Sequence, residues 1–174
     1  MTISVAELDA MPVPHAAELF VECCGSARWV SEMVARRPFK SRRAVSTAAD
    51  EIWKSLGAND WLEAFASHPR IGERSSAVPQ GERGTAWAAG EQSGVEQARQ
   101  EVREELAVAN RAYEERFGHI YIVCATGKTA GEMLALARER LRNDPDDELK
   151  MAAEEQRKIT RLRLDKLLDK EEAP

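Results

Sequence analysis

Only three cysteines and three histidines occur in this 174-residue chain. Cys23, Cys24 and Cys124 show neither disulfide nor metal spacing, and His15, His68 and His119 are too scattered to suggest a metal cluster. Adjacent Cys23 and Cys24 point to different sides of a helix, so at most one is expected to face the core. Positive charge is also in short supply. The 25 Lys and Arg are outnumbered by 30 Asp and Glu, giving a net charge of -5. That balance removes the global basic field expected of a nucleic-acid or anionic-membrane binder, though local anion sites stay open. No apolar run approaches the roughly 20 residues that span a bilayer. The stretch from Met1 to Glu7 has no basic n-region or apolar h-region, and Glu171 to Pro174 carries no peroxisomal or ER address. The expectation is a cytoplasmic protein in a reducing compartment, with no metal and no membrane.

What is present reads as helix. An apolar fraction of 43% and a charged fraction of 32% suit one soluble domain with a proper core. Ser4 with Glu7 forms a capping box for a first helix that ends before Pro12. Pro14 opens a second, closed by Gly25, and Ser26 caps a third that carries Trp29, Val30 and Met33 on one side. After the Arg37-Pro38-Phe39 corner, Ser41 starts a fourth, with Val45, Ala48, Ala49, Ile52 and Leu56 at helical spacing. Asn59 is expected to cap the next.

That fifth helix leads to Ser67-His68-Pro69-Arg70. Proline disfavours helical backbone in the residue before it, so His68 should end the helix or lie just past it. An imidazole at a helix C-terminus faces backbone carbonyls that favour its protonated form. It can act as a cap alone, or give and take a proton near neutral pH. From Glu73 to Gly94 the periodicity dissolves into glycine and serine, which predicts a long irregular loop.

Val95, Ala98, Val102, Leu106, Ala109, Tyr113 and Phe117 mark a long core helix stopped by Gly118. His119 to Ala125 is β-like but solitary, hence a buried extended connector or a deep helix start. Thr126-Gly127-Lys128-Thr129 lacks the earlier glycine of a phosphate loop, so Thr129 with Glu132 is read as another capping box. Asp144-Pro145 opens the last helix. Its line of Leu149, Ala152, Gln156, Ile159, Arg163 and Leu167 puts an arginine in the inward stripe, with Arg161, Lys158 and Asp165 opposite. An inward guanidinium needs an anion or several acceptors. It can snorkel, pair with a core-edge glutamate, or bind a substrate anion. The fold class is all-α, a single domain over 1–174 of about eight helices.

Taken together, Trp29, Arg37-Pro38-Phe39, Ser67-His68-Pro69, Glu91-Gln92-Ser93-Gly94, Phe117-Gly118, Ile120 to Ala125 and Ile159 with Leu162-Arg163-Leu164 resemble one family. It is the 2-oxo-4-hydroxy-4-carboxy-5-ureidoimidazoline (OHCU) decarboxylases of urate degradation. The motifs fall in the family's order over nearly the whole chain. The resemblance implies that His68 is the catalytic histidine, followed by the substrate-contacting Pro69, that Glu91 is the active-site glutamate, and that Arg163 binds substrate. Ile122 and Val123 match a pocket wall offering backbone contacts. Arg70 stands where many members have an acidic or neutral residue, Ala88 where a serine is common, and Gly118-His119-Ile120-Tyr121 where Phe-Pro-Phe is usual.

The activity implied is a cofactor-independent decarboxylation of a small ureidoimidazoline to (S)-allantoin by a homodimer. Two other readings compete with it. One is an all-α lyase or hydrolase acting on another ureide. The other is a helical interaction module using 73–94 as its binding segment, which the clean amphipathic stripes do not favour.

Overall fold

The computed structural model describes residues 2–71, 81–91 and 98–168. Among these residues the regular structure is helical: α1 Val5–Ala10, α2 Val13–Cys23, α3 Ala27–Ala35, α4 Arg42–Ser55, α5 Ala58–Ala66, α6 Gly81–Glu91, α7 Gln100–Phe117, α8 Ala130–Arg140 and α9 Pro145–Leu167. The all-α expectation holds. None of these helices is long and apolar enough to cross a membrane.

The chain forms two compact units, one from Met1–Glu63 with Arg157–Pro174, the other Ala64–Gln156. In the first, local capping sets the boundaries. Ser4 and Glu7 make the reciprocal box, and Ser26 and Ser41 accept from the amides of Trp29 and Ala44. Phe20 and Trp29 pack edge to face at 5.9 Å, and the Trp29 indole donates to Ala49 O at 3.2 Å. The Arg37 guanidinium donates to Leu8 O at 2.8 Å and Met11 O at 2.6 Å, which ties α1 to the corner after α3. Asp50 accepts from Arg157 and Arg161.

The second unit is built on the α7–α8 pair. Leu106, Ala109, Tyr113, Tyr121, Val123, Met133, Leu134 and Ala137 make its core, as the sequence stripe requires. Gly118 closes α7 in the left-handed conformation, φ +74°, which a side chain would strain. Residues 119–125 are the extended connector, and Tyr121 to Ala125 are buried. Thr129 and Glu132 form the second reciprocal box.

Three expectations are corrected. Residues 81–91 form a helix where an irregular loop was expected. Gly81, Gly84 and Gly90 hide it, since they depress helix propensity, while Ala86, Ala88 and Ala89 support it. Residues 72–80 and 92–97, with Gly94 and Val95, lie outside the described residues, as do the side chain of Ala88 and the last helix's extension to Lys170. The fifth helix begins at Ala58, and the carboxylate of Asp60 accepts from Gly57 N at 3.1 Å, so Asn59 is inside the helix rather than its cap. Cys23 and Cys24 are both fully buried, because Cys24 has already left the helix with extended backbone, φ -149° and ψ 125°.

Candidate active site

His68 lies just past α5. Its amide and that of Ser67 bond back to Phe65 O and Ala64 O at 3.0 and 3.3 Å, and Pro69 prevents the helix from continuing. The segment that follows is pinned to α7. Arg70 grips Glu114 with two parallel bonds of 2.5 and 3.0 Å, and Asn110 donates to Ile71 O at 2.8 Å. The departure at Arg70 therefore has a carboxylate partner within the unit.

The imidazole is 9% exposed, and its Nε2 lies 2.7 Å from Oε1 of the fully buried Gln156. An amide oxygen only accepts, so Nε2 carries the hydrogen in that bond. In the neutral ring the basic lone pair then resides on Nδ1. The next residue back on α9, Glu155, accepts from the backbone N–H of Cys124 at 2.7 Å. Consecutive residues of α9 thus hold the His68 corner and the end of the Ile122–Val123 wall. Glu91, half-buried at the end of α6, lies near enough for its charge to act on the Cys124 thiol. That thiol is pushed up, first by burial and then by Glu155, with Lys128 opposing. The Lys128 ammonium donates to Cys124 O at 2.8 Å.

His68, Pro69, Glu91, Ile122 and Val123 all fall in the second unit. Arg163 falls in the first. It is fully buried, as the inward stripe requires, and donates to Glu22 O at the C-terminal end of α2 at 3.2 Å.

Gln156 was visible as a stripe residue without a role. Glu148 and Arg140 were missed outright. Arg140 is 5% exposed and Glu148 fully buried, and the guanidinium meets Glu148 Oε1 through Nε at 2.8 Å and Nη2 at 2.5 Å. Tyr113 donates to the same oxygen, and Asn143 Nδ2 donates to Oε2 at 2.7 Å. Burial opposes the Arg140 charge, yet the bonds to Glu148 and the neighbouring Tyr113 and Tyr121 oxygens raise its pKa. Both residues could have been found as charges standing on apolar stripes, Glu148 with Ala152 and Gln156, Arg140 with Met133 and Ala137.

A helical protein holding a nearly buried histidine on a buried amide has the makings of an acid–base site. The chain belongs to the OHCU decarboxylase family, whose model matches residues 9–165. It is 39% identical over 153 residues to the uric acid degradation bifunctional protein TTL of Arabidopsis thaliana, covering 83% of this chain and 45% of that protein. Against the uric acid degradation bifunctional protein of Bacillus sp. (strain TB-90), identity is 26% over 164 residues, covering 92% of this chain and 31% of the relative. The chain thus spans less than half the length of these relatives. A crystal structure of OHCU decarboxylase in the presence of (S)-allantoin superposes with a TM-score of 0.74 at 37% identity, covering 86% of this chain and 96% of that one.

Proposed function

We propose that this chain decarboxylates OHCU to (S)-allantoin, with residues 1–174 acting as one domain of that family, without a cofactor, in the cytoplasm and as a homodimer. The observation that carries the reading is the His68–Gln156 bond, made at the position that matches the family's catalytic histidine. CO2 leaves a ring carbon that also bears a hydroxyl. The neighbouring C=N bond receives the electrons, so the substrate supplies its own sink. His68 moves the proton, either from the hydroxyl or back to the ring after CO2 departs. Glu91 hydrogen-bonds the ring or ureido N–H groups. Arg163 binds an anionic or carbonyl edge through its fork of donors. Pro69 contacts the substrate, and Ile122 and Val123 form a pocket wall that offers backbone contacts. A donor and an acceptor on opposite sides of the ring select one enantiomer.

The test generates OHCU in situ from urate with urate oxidase and hydroxyisourate hydrolase and follows circular dichroism after adding this protein. Spontaneous decay gives racemic allantoin and no lasting signal, so a fast, persistent signal of one sign is expected. A trace identical to the uncatalysed one, with folded protein, would overturn the reading and turn attention to other ureides. His68→Ala should fold and lose about 10²–10⁴-fold in turnover, the usual worth of a general acid–base group.

A further inference from the structure

The buried Arg140–Glu148 pair has no task in the chemistry above, yet one of its bonds leaves the cluster. Arg140 Nη1 donates to the backbone oxygen of Ile122 at 2.8 Å. The rest of the guanidinium is fully engaged. Nε and Nη2 hold Glu148, Nη2 also lies 3.3 Å from the Tyr113 hydroxyl, and the Tyr121 and Tyr113 rings stack against it at 5.0 and 5.8 Å. Glu148 is held in turn by Tyr113 and Asn143. A planar fork locked on this many sides cannot rotate, so the carbonyl it grips cannot either.

The Ile122–Val123 peptide is trans, since Arg37–Pro38 is the cis bond among the described residues. In a trans peptide the C=O and N–H point in opposite directions. Fixing Ile122 O on Arg140 therefore turns the Val123 N–H away from the guanidinium. Val123 is 5% exposed, and among the described residues no hydrogen bond to its N–H is found. One residue on, Cys124 N–H is held by Glu155, so the wall is clamped on both sides of Val123. A buried ion pair is a poor source of stability, because apolar residues of similar volume commonly replace such pairs without loss. Its value here is orientation.

We propose that Arg140, braced by Glu148, is a positioning residue that aims the Val123 N–H at substrate. This rests on the reading that the Ile122–Val123 wall faces the ureidoimidazoline. Arg140→Lys keeps a cation for Glu148 and loses the fork, so it frees the Ile122 carbonyl. Arg138→Lys, an exposed position paired with Glu105, is the control. Steady-state kinetics on in situ OHCU, calorimetric binding of (S)-allantoin and thermal melts are measured on all three proteins.

The expected result for Arg140→Lys is a KM five- to tenfold higher with kcat within about twofold, and (S)-allantoin binding weakened in parallel. A purely structural role would lower the active fraction, and with it apparent kcat, at unchanged KM. Where Arg140→Lys does not fold, the paired variant Arg140→Leu with Glu148→Leu, which leaves no lone charge buried, carries the same expectation. An unchanged KM in a folded variant overturns the positioning role, as does failure of both variants to fold. Wild type without turnover instead defeats the functional reading on which the proposal rests.

Discussion

His68 and Gln156, 88 positions apart, meet through Nε2 and Oε1 at 2.7 Å, both buried. The amide fixes which ring nitrogen carries the hydrogen and which is basic. Gln156→Leu removes that constraint and one hydrogen bond of about 1 kcal/mol, so kcat/KM should fall roughly 5- to 10-fold with the fold intact. Gln156→Glu is more informative. A carboxylate beside the ring stabilises imidazolium, so the pH–rate limb governed by His68 should move to higher pH. An unmoved limb would detach His68 from the proton transfer.

Arg163 presents a different contest, between substrate binding and support of α2. Its bond to Glu22 O is a structural use in its own right. Arg163→Ala deletes both and loses roughly 1–3 kcal/mol of stability with the charged donor. Arg163→Lys keeps the charge and most of the stem, so it separates the two. KM should rise about tenfold or more while the melting temperature changes little. A lower melting temperature at constant KM would leave the arginine with the structural task alone.

The parts legible in the sequence were those decided by local physics. Ser4 with Glu7, Ser26, Ser41, and Thr129 with Glu132 act as caps because a short side chain reaches an amide three residues on, whatever the rest of the chain does. The stripe of α7 and the inward place of Arg163 followed from periodicity. Helix α6 was illegible because its glycines erase the apolar stripe. The partners of His68, Arg70 and Arg140 were illegible for another reason. Gln156, Glu114 and Glu148 come from other helices, and only the tertiary fold decides which polar groups meet.

The three thiols should be silent in the native protein. Cys23 and Cys24 are fully buried and Cys124 is 8% exposed. Burial, foremost, pushes Cys24 up to about 11, with Ser26 N–H, the Thr160 hydroxyl and the Arg163 charge only partly offsetting it. Burial also raises Cys124. Since the thiolate is the reactive form, a disulfide reagent at pH 8 should titrate almost no thiol before unfolding and three after it. Fast labelling of one thiol in folded protein would show that its cover opens readily.

His119 supplies a pH dependence that is independent of catalysis. Its ring lies 5.3 Å from that of Phe65 and 5.5 Å from Tyr113, and Nδ1 meets Ile120 O at 3.0 Å. Burial, the largest influence, lowers its pKa below the ordinary 6.5, although the Ile120 carbonyl and the Glu148 charge favour the cation and Arg140 opposes it. With the folded value below the unfolded one, the unfolded chain binds more protons between the two. The contribution of His119 to stability is therefore complete above the unfolded value and lost as pH falls through the folded one. Urea midpoints from pH 7.5 to 5 should fall more steeply for wild type than for His119→Phe, which keeps an aromatic ring and cannot titrate. Parallel midpoint curves would mean that the imidazole accepts its proton without cost in the folded protein.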